Sequence, residues 1–227
     1  MDYKIEGGNL PVLIVNLNRG ETIITQSGGM SWMSDTISMA TESGGFKKAF
    51  SRMVGGESAF VSRYTAEHGD GVIAFSSSFP GDIIDYDIEP GKDLIVQKKA
   101  FLASEDTVDL SIYFQKKIGA GLVGGEGFFM QRASGQGKLF LEIDGALITK
   151  DLEPGETLFV DNGYIAFMED TVDYDIERIK GVKNVLLGGE GLFLAKVTGP
   201  GKIGLQTQPL AQHIQTILPY LDVLKDK

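Results

Sequence analysis

Apolar and polar residues alternate along most of this chain with a period of two, which is the period of a β-strand and not of a helix. Asn162-Gly163 is typical of a hairpin turn, because both residue types tolerate the positive φ that such a turn needs. Gly, Asn or Pro residues bound the alternating segments, as they do in proteins made of short strands. The alternation is clearest at residues 164–168, 172–179, 191–197 and 202–206. The pattern predicts an all-β protein.

The end of the chain has helical periodicity instead. We expect Pro219 to kink or divide the helix, since proline lacks the N–H group that a helix interior needs. The helix is predicted to cap an open edge of the preceding β-structure, and a partner-binding helix is the alternative. Its apolar residues recur at helical spacing: Leu210, Ile214, Ile217, Leu218, Leu221 and Leu224.

The chain also repeats itself three times, because four markers recur in one order. The central marker is Gly-Gly-Glu, and its copies are offset by 69 residues (from 55 to 124) and 64 residues (from 124 to 188). The copies are Gly55, Gly56 and Glu57; Gly124, Gly125 and Glu126; and Gly188, Gly189 and Glu190. An Asp-Thr pair precedes each copy, at Asp35-Thr36, Asp106-Thr107 and Asp170-Thr171. A Gly-x-Gly turn follows each copy, at residues 69–71, 135–137 and 199–201. A Glu-Pro-Gly turn comes ahead of the Asp-Thr pair in the last two copies, at residues 89–92 and 153–156, and Arg19-Gly20-Glu21 takes its place in the first.

The repeat predicts a division of the chain into three β units and a helical cap. The units are residues 1–80, 81–145 and 146–208, and the cap is residues 209–227. Five or so short strands in each unit form a small sandwich or a β-helix-like roll. A unit of this size has a marginal core by itself. We therefore expect the three units to pack together, and further units to join across chains.

Composition narrows the chemistry and the partners. The chain has no cysteine, which excludes disulfides, thiolate metal sites and cysteine nucleophiles. Its net charge of −10 argues against binding to nucleic acid. The first residues have neither a basic start nor an apolar core, and no apolar run is as long as a membrane span. We expect a cytoplasmic protein.

The repeated motifs resemble those of a known group, the uncharacterised bacterial proteins similar to the altered-inheritance-of-mitochondria family, member twenty-four. That group lies in the tryptophan RNA-binding attenuator protein-like superfamily. The likeness rests on the three Gly-Gly-Glu units, on the continuations at 126–129 and 190–193, and on the overall length. It implies a shortened double-stranded β-helix repeated three times, a homotrimer that closes a ring of nine units, and no established catalytic activity. The first unit departs from the pattern at Glu57-Ser58-Ala59.

Motifs for catalysis or cofactor binding are missing from the sequence. His68 and His213 stand in unrelated contexts, and His68 beside a turn is expected at the surface. Neither a Gly-x-Ser-x-Gly elbow nor a phosphate loop occurs. We therefore predict no catalytic residue, no cofactor and no metal ligand, and the protein is not expected to be an enzyme.

The Gly-Gly-Glu motif has two interpretations. In the favoured one, the glycines allow close approach between units, and the glutamate accepts backbone hydrogen bonds at the junction. In the other, Glu57, Glu126 and Glu190 converge on an axis and bind a cation. Alternating acids at residues 82–89 are expected to form a solvated strand face, and a calcium site is the alternative.

Basic residues concentrate just ahead of each glycine pair. Phe46 and Phe50 lie next to and among the charges of the first group, which is typical of contact with a membrane interface. We hypothesise that these residues meet an anionic surface; solvated connections between strands are the alternative. The candidates are Lys47, Lys48, Arg52, Lys116, Lys117, Lys180 and Lys183.

Three functions of different classes remain open. The leading one is an oligomeric scaffold or membrane-surface organiser, with peripheral membrane contact and an unidentified protein partner. The alternative is a ring that holds a small molecule between units, as the attenuator protein holds tryptophan. RNA binding is the third, and the net charge of −10 opposes it.

Overall fold

A computed structural model describes residues 1–26, 28–42, 61–113, 130–178 and 193–225 of the chain. These residues form short strands, two 3-10 turns and one terminal helix, α1 (Leu210–Lys225). The 3-10 turns are Lys98–Ala100 and Asn162–Tyr164. The strands are β1 (Asp2–Glu6), β2 (Val12–Leu17), β3 (Thr22–Gln26), β4 (Trp32–Met33), β5 (Ser38–Glu42), β6 (Val61–Thr65), β7 (Gly71–Ser76), β8 (Gly81–Ile88), β9 (Leu94–Gln97), β10 (Phe101–Glu105), β11 (Val108–Ile112), β12 (Met130–Gly135), β13 (Gly137–Asp144), β14 (Leu147–Leu152), β15 (Thr157–Val160), β16 (Ile165–Glu169), β17 (Asp173–Arg178), β18 (Phe193–Thr198) and β19 (Gly201–Gln206).

The strands form four antiparallel sheets. The first has the order β1-β2-β7-β4, and the second β5-β6-β3-β10-β13-β8. The third has the order β11-β12-β9-β16-β19-β14, and the fourth β15-β18-β17. Adding six to every strand number of the second sheet gives the order of the third. By the same shift, β2-β7-β4 of the first sheet matches β8-β13-β10 of the second, and β11-β12-β9 of the third matches β17-β18-β15 of the fourth.

Two strand pairs join the parts of the chain that this shift relates. Strand β3 pairs with β10, and Ile24 lies opposite Ser104. Strand β9 pairs with β16, and Ile95 lies opposite Met168. The two pairings have the same register, since 95 is 71 above 24 and 168 is 64 above 104, and the same offsets hold at the other paired positions. We call these two strand pairs the internal junctions.

Three hydrophobic clusters fill the space between the sheets. Side chains alternate between the interior and the solvent, as they must when one face of a strand is buried. In β2, for example, Leu13, Val15 and Leu17 are buried while Asn16 is exposed. The first cluster contains Leu13, Ile73 and Phe75; the second Leu94, Leu139 and Leu141; and the third Ile165, Val197 and Ile203.

The predicted all-β class with a C-terminal helix is confirmed, and the strands predicted from alternation are found in the described part of the chain. One detail was wrong. Asn162-Gly163 does not form a hairpin: it lies in a 3-10 turn that carries the chain from the fourth sheet to the third, and Asp161 Oδ1 accepts the Gly163 N–H at 3.2 Å. Of the kink or division predicted at Pro219, the division does not occur, since helix α1 continues through this position. Within the described ranges, no helix is long and apolar enough to cross a membrane.

Candidate functional site

Two of the repeated sequence markers touch each other in the structure. The second glycine of each Gly-x-Gly turn lies against the threonine of the Asp-Thr pair. A β-carbon built on Gly71, Gly137 or Gly201 would come 2.6, 2.8 or 2.5 Å from the Oγ1 atom of Thr36, Thr107 or Thr171, respectively. A β-carbon at any of these positions would come closer to the threonine than β-carbons normally do, so the threonine would have to shift, and glycine avoids this at all three markers.

A hydrogen bond beside this contact also recurs. The backbone N–H of Lys138 donates to Glu105 Oε2 at 2.8 Å, and that of Lys202 donates to Glu169 Oε2 at 2.9 Å. In the first unit the N–H of Val72 donates at 2.9 Å to the Oγ atom of Ser34, two residues before Thr36. Each acceptor therefore ties the start of one strand to the turn that precedes another.

The residues singled out by the sequence lie outside the described ranges. These are Gly55, Gly56, Glu57, Gly124, Gly125, Glu126, Gly188, Gly189 and Glu190, and the basic residues Lys47, Lys48, Arg52, Lys116, Lys117, Lys180 and Lys183. Their positions in the chain are nevertheless informative. Segments 43–60, 114–129 and 179–192 connect β5 to β6, β11 to β12 and β17 to β18. These three strand pairs are antiparallel and occupy matching places in the strand order.

Each internal junction has an ion pair across it. Arg63 Nη2 on β6 lies 3.0 Å from Asp106 Oδ2, and Arg132 Nη1 on β12 lies 3.6 Å from Asp170 Oδ2. Arg132 also donates to Asp93 Oδ2 at 2.7 Å. Exposed pairs of this kind contribute little stability, about 0–1 kcal/mol each. These ion pairs favour the observed register, because opposite charges face each other in it.

Apolar side chains cross the same junctions. Ile24 on β3 belongs to the second cluster, and Ile95 on β9 belongs to the third. In the other direction, Ala103 on β10 packs in the first cluster and Phe167 on β16 packs in the second. Each junction therefore combines backbone pairing, an ion pair and side chains that reach from one hydrophobic cluster into the next.

Among the described strands, two occupy the place of a junction strand in the chain but lack a partner strand on one side. Strand β4 matches β10 and β16, yet it ends the first sheet; β15 matches β3 and β9, yet it ends the fourth sheet. Trp32 and Met33 on β4 are 50% and 37% exposed, and Phe159 on β15 is 52% exposed. We call β4 and β15 the open edges.

The exposure of the open edges is unusual for their position in the fold. Ser104 and Met168, which match Met33, are fully buried, and so is Ile95, which matches Phe159. Proteins usually protect free strand edges with charged residues, proline or bulges. The paired residues of the open edges include no charge and no proline. These edges are the candidate functional site.

The acidic strand β8 has a different role. Asp82, Asp85 and Asp87 are exposed while Ile83 and Ile88 are buried, which confirms the predicted solvated face. Lys138 Nζ on β13 lies 2.8 Å from both Asp85 Oδ2 and Asp87 Oδ1. The hydrogen bond from Lys138 lowers the pKa of Asp85, and the bonds to Asp85 and Asp87 raise the pKa of Lys138.

The two histidines lie apart. His68 is exposed, as predicted, and its Nε2 is 3.5 Å from Ser38 Oγ. His213 on α1 packs edge-on against Phe79, and its Nδ1 is 2.9 Å from Gln208 Nε2. Over the ranges that the structure covers, no group of three or more His, Asp or Glu side chains could hold a metal ion.

Sequence reasoning did not identify the open edges. Aligning the chain on its Asp-Thr and Gly-x-Gly markers matches Trp32 and Met33 with Ala103 and Ser104, and Phe159 with Ile95. The residues Phe167, Met168 and Ile24 at matching positions are also large and apolar, so size alone does not single out the edges. Only the pairing of β3 with β10 and of β9 with β16 shows that Trp32, Met33 and Phe159 lie on strands that lack a partner on one side in the described structure.

Comparison with known proteins places the chain in one family. The family model described as Mitochondrial biogenesis AIM24 matches residues 3–208. An uncharacterised protein of Streptococcus pyogenes serotype M6 is 27% identical over 220 residues, which cover 93% of this chain and 87% of the relative. The crystal structure of a Streptococcus pyogenes protein has a TM-score of 0.79 and 27% identity, and the match covers 96% of this chain and 99% of that one.

Proposed function

Because the chain belongs to the family described as Mitochondrial biogenesis AIM24, we propose that it is a self-assembling scaffold, and not an enzyme, that presents basic segments to an anionic membrane surface. The observation that carries the proposal is the pair of open edges. They stand at the two ends of a series of matching junctions, and they leave the series incomplete within one chain.

The proposal includes a threefold internal repeat. The units are β2–β7, β8–β13 and β14–β19, and β1 and α1 are additions at the two ends. The strand order supports this division, since it recurs every six strands. The domain boundaries predicted from the sequence, after residues 80, 145 and 208, fall between β7 and β8, between β13 and β14, and just before α1. A pseudo-threefold arrangement of these units remains part of the proposal.

Assembly through the open edges joins two different surfaces. An interface of that kind is heterologous, so identical chains form a ring if the rotation closes and a filament if it does not. We propose a closed ring of three chains and nine units, as the family resemblance implied. Closure covers every open edge, which removes the exposed apolar strands that would otherwise favour aggregation.

The basic segments support the membrane part of the proposal. Segments 43–60, 114–129 and 179–192 together carry seven Lys or Arg and three Glu, a net charge of +4, whereas the rest of the chain carries −14. They connect strand pairs that match in the strand order. Phe46, Phe50 and Phe128 lie in the same segments. Charged and aromatic residues in such a combination favour the interface of an anionic bilayer.

Two measurements test the proposal. Light scattering should give a solution mass of three times the 24.5 kDa chain. In flotation, the protein should bind vesicles of phosphatidylcholine and phosphatidylserine at low salt, and should not bind phosphatidylcholine alone. High salt should release it, because screening weakens attraction between exposed charges.

A matched pair of variants locates the binding surface. Lys47→Ala, Lys48→Ala and Arg52→Ala together should abolish flotation. Lys4→Ala, Lys92→Ala and Lys150→Ala remove the same number of charges from strands and turns, and should preserve it. A monomer in solution contradicts the scaffold, and equal loss in the two triple variants contradicts the membrane-binding segments.

A further inference from the structure

We propose that β15 of one copy adds to the open edge of β4 in a second copy, antiparallel, with Val160 opposite Trp32, Phe159 opposite Met33 and Leu158 opposite Ser34. The partner is a second copy of this chain, and the inference rests on the self-assembly proposed above. It specifies the surface, the register and the residues that each copy contributes.

The register follows from the two internal junctions. In the first, Thr25, Ile24 and Ile23 pair with Ala103, Ser104 and Glu105. In the second, Val96, Ile95 and Leu94 pair with Phe167, Met168 and Glu169. The offsets between matching residues are 71 from the first unit to the second and 64 from the second to the third. Applying them once more gives the three pairs proposed between copies.

Pairings inside the units support these offsets independently. Trp32 pairs with Ala74, Ala103 with Phe140, and Phe167 with Gly204. On the other side, Ile24 pairs with Arg63, Ile95 with Arg132, and Phe159 with Lys196. Strand β4 therefore has the same place in its sheet as β10 has in the second sheet, and β15 has the same place as β9 has in the third. The free side of β4 corresponds to the side on which β10 pairs with β3, and the free side of β15 to the side on which β9 pairs with β16.

The burial of matching residues at the internal junctions indicates where Phe159 and Trp32 would lie in the assembly. Ile24 and Ile95 enter the core cluster of the following unit, so Phe159 should enter the first cluster of the second copy. Phe167 enters the cluster of the preceding unit, so Trp32 should enter the third cluster of the copy that supplies β15. Both side chains are about half exposed in a single chain. The contact would bury them as their counterparts are buried.

Charge complementarity gives the same register. Arg63 and Arg132 face Asp106 and Asp170 across the internal junctions. The matching residues at the open edges are Lys196 and Asp35. Lys196 Nζ lies 2.8 Å from Glu177 Oε1 of its own chain, and Asp35 is exposed, with no ion pair to any residue that the structure describes. In the assembly, Lys196 of one copy should face Asp35 of the next.

Cysteine substitution tests the register cleanly, because the chain has no cysteine of its own. Directly opposed residues in antiparallel strands have Cα atoms about 4.5–5.5 Å apart, which suits a disulfide. We expect an equimolar mixture of Met33→Cys and Phe159→Cys chains to form a covalent dimer on mild oxidation. Each variant alone should form none, and the double variant should form a covalent ladder that ends at the closed ring.

Leu158→Cys is the matched control for the cysteine experiment. Leu158 adjoins Phe159, but its side chain points to the other face of the strand. A mixture of Met33→Cys with Leu158→Cys should therefore remain uncrosslinked. Circular dichroism of each variant checks that the fold is retained.

A charge exchange provides the second test. Lys196→Asp alone and Asp35→Lys alone should each weaken assembly roughly fivefold, and the two changes together should restore it. Lys4→Asp with Glu6→Lys, an exposed pair on β1, should have no effect on assembly.

The possible results distinguish a wrong strand register from a wrong scaffold proposal. Oligomers that give no Met33–Phe159 crosslink, or that crosslink through Met33 on both chains, contradict the strand register and leave the scaffold standing. Chains that remain monomeric at every concentration contradict both. The predicted crosslink together with charge-exchange rescue supports both.

Discussion

Gly137 lies directly against the hydroxyl group of Thr107, so a β-carbon at Gly137 would come 2.8 Å from Thr107 Oγ1. Gly137 also has a φ of +147°, a conformation that residues with a side chain rarely adopt. The contact joins a Gly-x-Gly turn to an Asp-Thr pair, and its counterparts occur at Gly71 and Gly201. The spacing of these two markers in the sequence therefore reflects a physical contact.

Gly137→Ala should destabilise the fold through both the contact and the backbone conformation. We expect a loss of about 2–3 kcal/mol in the free energy of unfolding. Gly91→Ala is the control: Gly91 has a φ of +79° but nothing near its β-position, and should lose only about 1 kcal/mol. Chemical denaturation measures both. Equal losses would show that the contact with Thr107 has no effect on stability.

Glu169 should stabilise the fold by accepting the Lys202 N–H at 2.9 Å. Glu169→Ala leaves that donor without its partner, and we expect a loss of about 1–2 kcal/mol. Glu169→Gln keeps an acceptor and should lose less. Glu67→Ala, at an exposed position, should stay within about 0.5 kcal/mol of the parent. If Glu169→Ala is as stable as Glu67→Ala, the recurring bond is not a structural tie.

The sequence predicted features that depend on residues near each other in the chain better than features that depend on distant strands. The recurring markers were visible in the sequence because residues that touch, such as Gly137 and Thr107, occur in the same order three times. The open edges were not visible in the sequence, because an edge depends on which strands pair with each other, and those strands are far apart in the chain. The hairpin predicted at Asn162-Gly163 was wrong because the two residues define only a tight turn and not which strands follow it. Asp161 caps a 3-10 turn there, and the matching turn at Lys98–Ala100 also connects strands of different sheets.

The terminal helix shows the same limit. Proline removes one helical hydrogen bond, which predicted a kink or a break at Pro219. The structure has one helix through this position, and Gln215, whose carbonyl group loses the bond, is exposed to water. The basic segments and the Gly-Gly-Glu motifs remain predictions, because they lie outside the described residues.

Asp85 should report its contact with Lys138 through its pKa. The hydrogen bond from Lys138 lowers the pKa of Asp85 below its usual 3.8. A lowered pKa stabilises the fold above pH 3.8, and this contribution is lost as the pH falls from 3.8 through the folded pKa. Lys138→Met should raise the pKa of Asp85 in an NMR titration, whereas Lys92→Met should not. An unchanged pKa in Lys138→Met would contradict the contact.

Asp144 should have the opposite pH dependence. Burial raises the pKa of Asp144, although its Oδ2 accepts the Leu210 N–H at 2.7 Å at the start of α1. A raised carboxyl pKa means that stability is highest below pH 3.8 and declines as the pH rises through the folded pKa.

Replacing Asp144 with Asn removes this pH dependence. Asp144→Asn should be more stable than the parent at pH 7, and the difference should vanish near pH 3. Asp82→Asn on the exposed strand face is the control, expected within about 0.5 kcal/mol of the parent. Thermal unfolding at both pH values measures the difference, and a less stable Asp144→Asn at pH 7 would show that the charge is needed at the helix start.

Fluorescence of Trp32 reports whether another copy covers β4, because Trp32 is the single tryptophan of the chain and lies on the open edge of β4. Within one chain, β4 and β15 belong to different sheets. If β15 of another copy covers Trp32, Phe159→Asp should shift the emission to longer wavelength, increase quenching by acrylamide, and reduce the solution mass to that of one chain. If folded Phe159→Asp keeps the emission, quenching and mass of the parent, β15 does not cover β4 and the account is wrong.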